Sequence, residues 1–185
     1  MSIKIILLSL GVMISQKIDY IDAKKILLNI KEDTSYPDNE ITSAVITIME
    51  DSLITAKISC DTLIKTYNQP TVLRSNVIAN FFENGKSISR LSSDKAFYNQ
   101  ESSLKAMSNI SIVNLESRDS LYFTNPEEAV IIWDKNYGRI QSDNEFILFS
   151  EDGCTSGTAF ESDVDLSNIR IVGIKGTNQQ NPCNR

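Results

Sequence analysis

The chain has 185 residues, 41% of them apolar and 23% charged, with a net charge of −6 and a pI near 4.7. That is the composition of one globular domain, large enough to bury a core without disulfides or metals. No basic stripe that would displace counterions from nucleic-acid phosphates is visible, and the absence of histidine excludes histidine-dependent triads and histidine-containing zinc sites.

Lys4 is followed by a ten-residue apolar run, Ile5 to Ile14, interrupted only by Ser9 and Gly11. A membrane span needs about 20 residues and a secretory apolar region about 7–15, so residues 1–16 read as an export signal or a short membrane anchor. A buried helix or strand is the other reading, because Met13 and Ser15 make a poor small-x-small cleavage site. Between residues 17 and 39, Ile18, Ile21, Leu28 and Ile30 recur at roughly helical spacing around Lys24 and Lys25, as in a juxtamembrane helix or linker. Ser35-Tyr36-Pro37-Asp38-Asn39 breaks that pattern, and the folded domain is expected over residues 40–176, with a polar, disordered tail at 177–185.

From Glu40 onward short apolar runs alternate with turn residues. The runs at 44–49, 76–82, 109–115, 129–133, 145–149 and 169–174 are rich in β-branched and aromatic residues, which fit a pleated surface. Asn84-Gly85, Asn136-Tyr137-Gly138 and Asp152-Gly153 lie between them and supply the positive φ of tight hairpins. No sustained helical stripe occurs between residues 40 and 176, so the fold class is all-β and antiparallel, with strands linked by hairpins. Several runs, Glu145-Phe146-Ile147-Leu148-Phe149 above all, are apolar on both faces, which points to a folded-over sheet with a large interior.

The runs also repeat. Segments 57–65, 90–98 and 123–131 align on Asp61, Asp94 and Glu127, at equal steps along the chain. Leu63, Ala96 and Ala129 then fall in line, as do Ile64, Phe97 and Val130. A looser fourth copy at 157–163, a slightly shorter step on, sets Ala159 against Ala129 and Phe160 against Val130. A strand-turn-strand unit of this size cannot bury its own apolar face, but stacked units form a continuous trough.

Other patterns carry little chemistry. Gly85-Lys86-Ser87 lacks the upstream glycine of a phosphate loop, because Asn80 stands there. Asp163, Asp165 and Ser167 have calcium-loop spacing, but Asn168 and Ile174 occupy the places of the required glycine and glutamate. Carboxylate pairs such as Glu127/Glu128 and Glu161/Asp163 are what any acidic β protein offers, and Trp133 with Tyr137 is a sugar platform only if the tryptophan is not core. Cys60, Cys154 and Cys183 form no C-x-x-C pair; three buried thiols, or a Cys154–Cys183 bridge that leaves Cys60 over, both remain open.

The segment 157–176, GTAFESDVDLSNIRIVGIKG, resembles the C-terminal signature of the LptC family, and residues 76–99 resemble that family's middle repeat. The resemblance covers roughly residues 40–176. It implies a twisted antiparallel β jelly roll, periplasmic and inner-membrane-associated, without catalysis or cofactor, whose apolar interior passes lipopolysaccharide along a protein bridge. It further implies that the N-terminal edge strand (Ile41, Val45, Thr47, Met49) meets LptF/LptG-type transporter subunits. The C-terminal edge (Ile169, Ile171, Gly173) would meet an LptA-like protein. The family's anchor is a full membrane span, longer than the apolar run found here. On the repeat register, Ile64, Phe97, Val130 and Phe160 are expected to line the lipid interior, with Leu63, Ala96, Ala129 and Ala159 on the opposite face. Burying a methylene gains about 0.8 kcal/mol, so an acyl chain of a dozen carbons costs about 10 kcal/mol to expose, and a shielded path is a physical necessity. A soluble LptA-like carrier and, from another class, a β-sandwich carbohydrate-binding module or glycosidase are the alternatives.

Overall fold

The computed structural model describes residues 39–99 and 103–178. The expected export segment, nearly all of the expected linker and the last residues of the tail lie outside that range. The described chain is built of fourteen antiparallel strands. Four long ones come first: β1 (Asn39–Glu50), β2 (Leu53–Lys65), β3 (Thr71–Glu83) and β4 (Lys86–Asn99). Ten short ones follow: β5 (Ser103–Met107), β6 (Ser111–Asn114), β7 (Ser120–Phe123), β8 (Val130–Asp134), β9 (Arg139–Ser142), β10 (Phe146–Ser150), β11 (Gly153–Gly157), β12 (Ala159–Asp163), β13 (Arg170–Val172) and β14 (Gly176–Asn178). Every sequence-expected run falls in or across one of these strands, and Asn84, Gly85, Gly138 and Gly153 have the positive φ their turns demand. The expected boundaries move slightly. Asn39, assigned to the linker, opens β1, and Thr177 and Asn178, assigned to a disordered tail, pair with β11 as part of β14.

A crease running across the strands gives the sheet its form. β2, β3 and β4 shift register between Ser59 and Thr62 and between Arg74 and Val77. At that level Ser75 and Asn76 have φ of 59° and 50°, and one repeat later Ser108 and Asn109 have the matching pair at 61° and 49°. Short polar residues tolerate this left-handed backbone best, and the extra residue bends the strand. A side-chain bond closes each bend: Asn76 Nδ2 donates to Asp61 Oδ2 at 2.7 Å, and Asn109 Nδ2 donates to Asp94 Oδ2 at 2.6 Å. Two of the three aligned acids therefore do the same work. The third, Glu127, lies in a short 3-10 turn, Pro126–Glu128, where Ser108 Oγ donates to its main-chain carbonyl at 2.9 Å.

Beyond the crease the long strands continue, while later segments break into separate strands on either side. One wing consists of the β1–β4 segments Asn39–Thr42, Thr62–Lys65, Thr71–Arg74 and Lys95–Asn99, extended by β5, β8, β9, β12 and β13. The other consists of Ala44–Glu50, Leu53–Ser59, Val77–Glu83 and Lys86–Ser92, extended by β6, β7, β10, β11 and β14. Their inner faces form one apolar core. Phe81 of the second wing meets Trp133 of the first at 5.0 Å between ring centroids, and Phe146 meets Phe160 at 4.9 Å. The result is the all-β antiparallel jelly roll expected of this sequence.

Replacing Asn109 with alanine removes the bond to Asp94 and places a Cβ-bearing residue without local support in the left-handed region. A loss of about 1–2 kcal/mol is expected from urea unfolding. Asn109→Gly, which keeps the backbone freedom, should lose less. Equal stability of wild type and both variants would remove the crease from the account.

Candidate functional site

The inner face and the two strand edges are where this fold can bind. Along the strands of the first wing, Leu63, Leu73, Ala96, Ala106 and Ile131 form one inward row across β2, β3, β4, β5 and β8, each at most 8% exposed. Leu63, Ala96, Ala129 and Ser162, which follow one another at the repeat step, are all buried. That corrects the expected parity. Ile64, Phe97 and Val130 are half-buried on the outer face, where Ile64, Val72, Phe97, Lys105 and Ile132 make a neighbouring row. Of the four residues expected inside, Phe160 alone is there. The cause is the fourth repeat: setting Phe160 against Val130 falls short of the repeat step by an odd number of positions, and an odd slip exchanges the faces of a strand. On the outer face Lys95 Nζ lies 4.8 Å from the Phe97 ring centroid, and partial burial lowers the Lys105 ammonium pKa.

A second inward row, Tyr98–Leu104–Trp133–Ile140–Ser162, runs across β4, β5, β8, β9 and β12 one residue from the strand ends. It forms the inner rim of the first wing. Burial raises the Tyr98 phenol above its ordinary value. Trp133 is 4% exposed and Tyr137 is exposed in the following turn, so the two do not make an open sugar platform. Trp133 Nε1 and Ser162 Oγ are buried without a hydrogen-bond partner.

The loop after β12 crosses from this rim to the opposite wing. Ser89 Oγ, on the inner face of β4, donates to the Val164 carbonyl at 2.5 Å, and Asn114 Nδ2 at the end of β6 donates to the Asp165 carbonyl at 2.6 Å. Leu166, at φ 65° and 4% exposed, joins the apolar core. Arg139 steadies the base of the loop through Glu161 at 2.7 Å and Asp163 at 3.1 Å, and Asn168 donates to Asp163. The FESDVDLSN segment is thus a strap. Its acids make loop-fixing bonds, and its apolar residues enter the core.

Leu73, Ala96, Leu104, Ala106, Ile112, Leu121, Ile131 and Phe146 have no exposed surface, so these inner-face residues are tightly packed, while Tyr98 and Leu148 are only partly buried. On the outer face of β10, Phe149 packs edge-on to Tyr122 at 6.0 Å.

At one end of the sheet the twelve-residue β1 pairs, among the described residues, only with β2. Ile41, Val45, Thr47 and Met49 are exposed there, Val45 at 64%. At the other end, Ile169 and Ile171 pack against the core. Gly173 departs from the expected edge strand. It lies past β13 with φ 60°, and a Cβ there would fall 2.2 Å from Thr158 Oγ1, so it turns the chain toward β14. Cys154 is disulfide-bonded, whereas Cys60 is a buried free thiol whose pKa burial pushes above 9.0. Among the described residues no cluster of metal-ligating side chains occurs, and no helix is long and apolar enough to cross a membrane.

Compared with known proteins, the chain matches no family model and no curated protein.

Two outcomes check this site. Ser89→Ala strands the Val164 carbonyl and should cost about 1–2 kcal/mol, with amide exchange quickening first at residues 164–168; uniform quickening across the sheet would mean the loop is no strap. For Cys60, the protonated thiol is the form that folding favours. Its contribution to stability is therefore complete below the ordinary thiol pKa and is lost as pH rises through the raised one. Ellman's reagent at pH 8 should leave Cys60 unmodified until denaturant is added, which peptide mapping reads directly.

Proposed function

We propose that this protein is a lipid-handling β jelly roll of the LptC type, a passive link that shields the acyl chains of lipopolysaccharide between an inner-membrane transporter and an LptA-like partner. The observation that carries the reading is a folded-over sheet whose inner face is largely apolar from β1 to β12 and whose first strand, among the described residues, pairs on one side only. An apolar inner face suits acyl chains, and a free strand edge suits main-chain pairing with a neighbouring protein. The rim-to-rim strap coincides with the stretch that resembles the family signature. The disulfide at Cys154 fits an oxidising compartment such as the periplasm, where bridges persist.

On this reading lipid reaches the packed inner face as the wings part. The contact between Phe81 and Trp133 and the strap at Val164–Leu166 are what must yield. Each acyl chain replaces side-chain packing with its own, so exchange between neighbours needs little net free energy. The chain carries no nucleotide-binding motif, and on this reading a partner supplies the drive.

Photo-crosslinking amino acids placed singly at Tyr98 and Phe97 test the reading in cells that make lipopolysaccharide. Tyr98 lies on the inward row and Phe97 on the outer face. A lipopolysaccharide adduct at Tyr98, with little at Phe97, is expected. Folded variants with no adduct at either position would leave the conduit reading without support and favour a carbohydrate-binding function.

A further inference from the structure

Two polar atoms in the inner rim have no partner, and both belong to one row. Trp133 Nε1 on β8 and Ser162 Oγ on β12 are buried without a hydrogen bond, and only Ile140 of β9 stands between these residues in the lateral register. Neighbouring strands are about 4.8 Å apart, so the two side chains issue from points about 10 Å apart on one lip. A buried donor without an acceptor opposes folding and is rare in native proteins.

Packing does not require either donor. Ser162 follows Leu63, Ala96 and Ala129 at the repeat step, and those equivalents are apolar. Alanine would fill the position with nothing left over. Three of the four other buried serines behave differently: Ser89, Ser93 and Ser142 donate to the carbonyls of Val164, Lys95 and Val130. A phenylalanine at 133 would likewise meet Phe81 without carrying an N–H. Among the described residues two further buried atoms lack a hydrogen bond, but Arg139 Nε lies 2.7 Å from the Glu161 carboxylate and Ser87 stands beside the Asn84–Gly85 turn on the other wing.

The row's position indicates what the donors await. It lies one residue from the strand ends, and the next inward row toward the crease, Leu63, Leu73, Ala96, Ala106 and Ile131, is hydrocarbon; the one deeper hydroxyl on β9, Ser142 Oγ, is already bonded to the Val130 carbonyl. An amphiphile entering tails-first would bring its polar linkage to this level. We propose that Trp133 and Ser162 form a rim site for the oxygenated linkage of an acyl lipid, its ester, amide or hydroxyl oxygens, and so select acyl lipids over plain hydrocarbon. This rests on the lipid-handling reading above and specifies which part of the lipid the rim holds. The acceptors come from the guest, and the cost of the two orphaned donors is recovered on binding.

Trp133 is the chain's only tryptophan, so a nitrogen-labelled full-length protein gives one indole N–H resonance. The experiment compares monododecanoylglycerol, which carries an ester and hydroxyls, with dodecane. The ester should move the indole resonance in the direction of a new hydrogen bond, and dodecane should not. Ser162→Ala should weaken ester binding about tenfold, leave dodecane binding unchanged and leave the melting temperature of the empty protein no lower. Equal weakening of both probes, or ester binding with an unmoved indole resonance, overturns the rim site while the lipid reading stands. Binding of neither probe to wild type overturns both.

Discussion

Everything in this fold depends on the strands bending where a flat sheet would run straight. A fourteen-stranded antiparallel sheet has two faces, and burying one of them requires either a second layer or a fold across the strands. This chain does the second. The extra residues at Ser75-Asn76 and Ser108-Asn109 take left-handed backbone, and Asp61 and Asp94 hold the bends by accepting from the asparagines. With the crease in place, Phe81 reaches Trp133 and Phe146 reaches Phe160, and the inner face becomes a core. Without it, the same residues would form an open apolar surface.

Much of this was legible in the sequence, because the signals involved are local. Strand runs, turn residues and a regular repeat step can be read along the chain, and the structure has all three. Facing was less legible, since each strand has two apolar parities to choose from. Phe97 looks like a core residue by size, yet the smaller Ala96 is the one inside, because wings that approach closely need small side chains on the inner face. The fourth repeat misled for an identifiable reason. Aligning Phe160 with Val130 matched two large residues, whereas the true equivalent of Ala129 is Ser162, a polar residue where a hydrophobic pattern would not look. The rim donors were invisible for the same cause: a buried polar atom lacking a partner is a property of the fold.

The segment on which the proposed LptC-type reading rests in sequence is, in the structure, the strap. In sequence, FESDVDLSN reads as an acidic turn. In the fold, Glu161 and Asp163 hold Arg139, Asp163 also holds Asn168, and the Val164 and Asp165 carbonyls accept from the far wing. Several residues of the stretch have separate geometric tasks, whereas strand residues need only be apolar and of suitable size. A chain can therefore keep the strap while the rest of its sequence drifts.

The strap also orders the events of folding. Ser89 and Val164 are 75 residues apart, and their bond is made only after nearly every strand is present. Contacts of such separation form late, and until they do the unsealed inner face is exposed to other unfinished chains. The nascent protein is most prone to aggregate with β10 complete and residues 164–166 still to come. Chaperoning therefore matters most in that brief interval, and the family-like signature at the carboxyl end is the chain's own means of ending it.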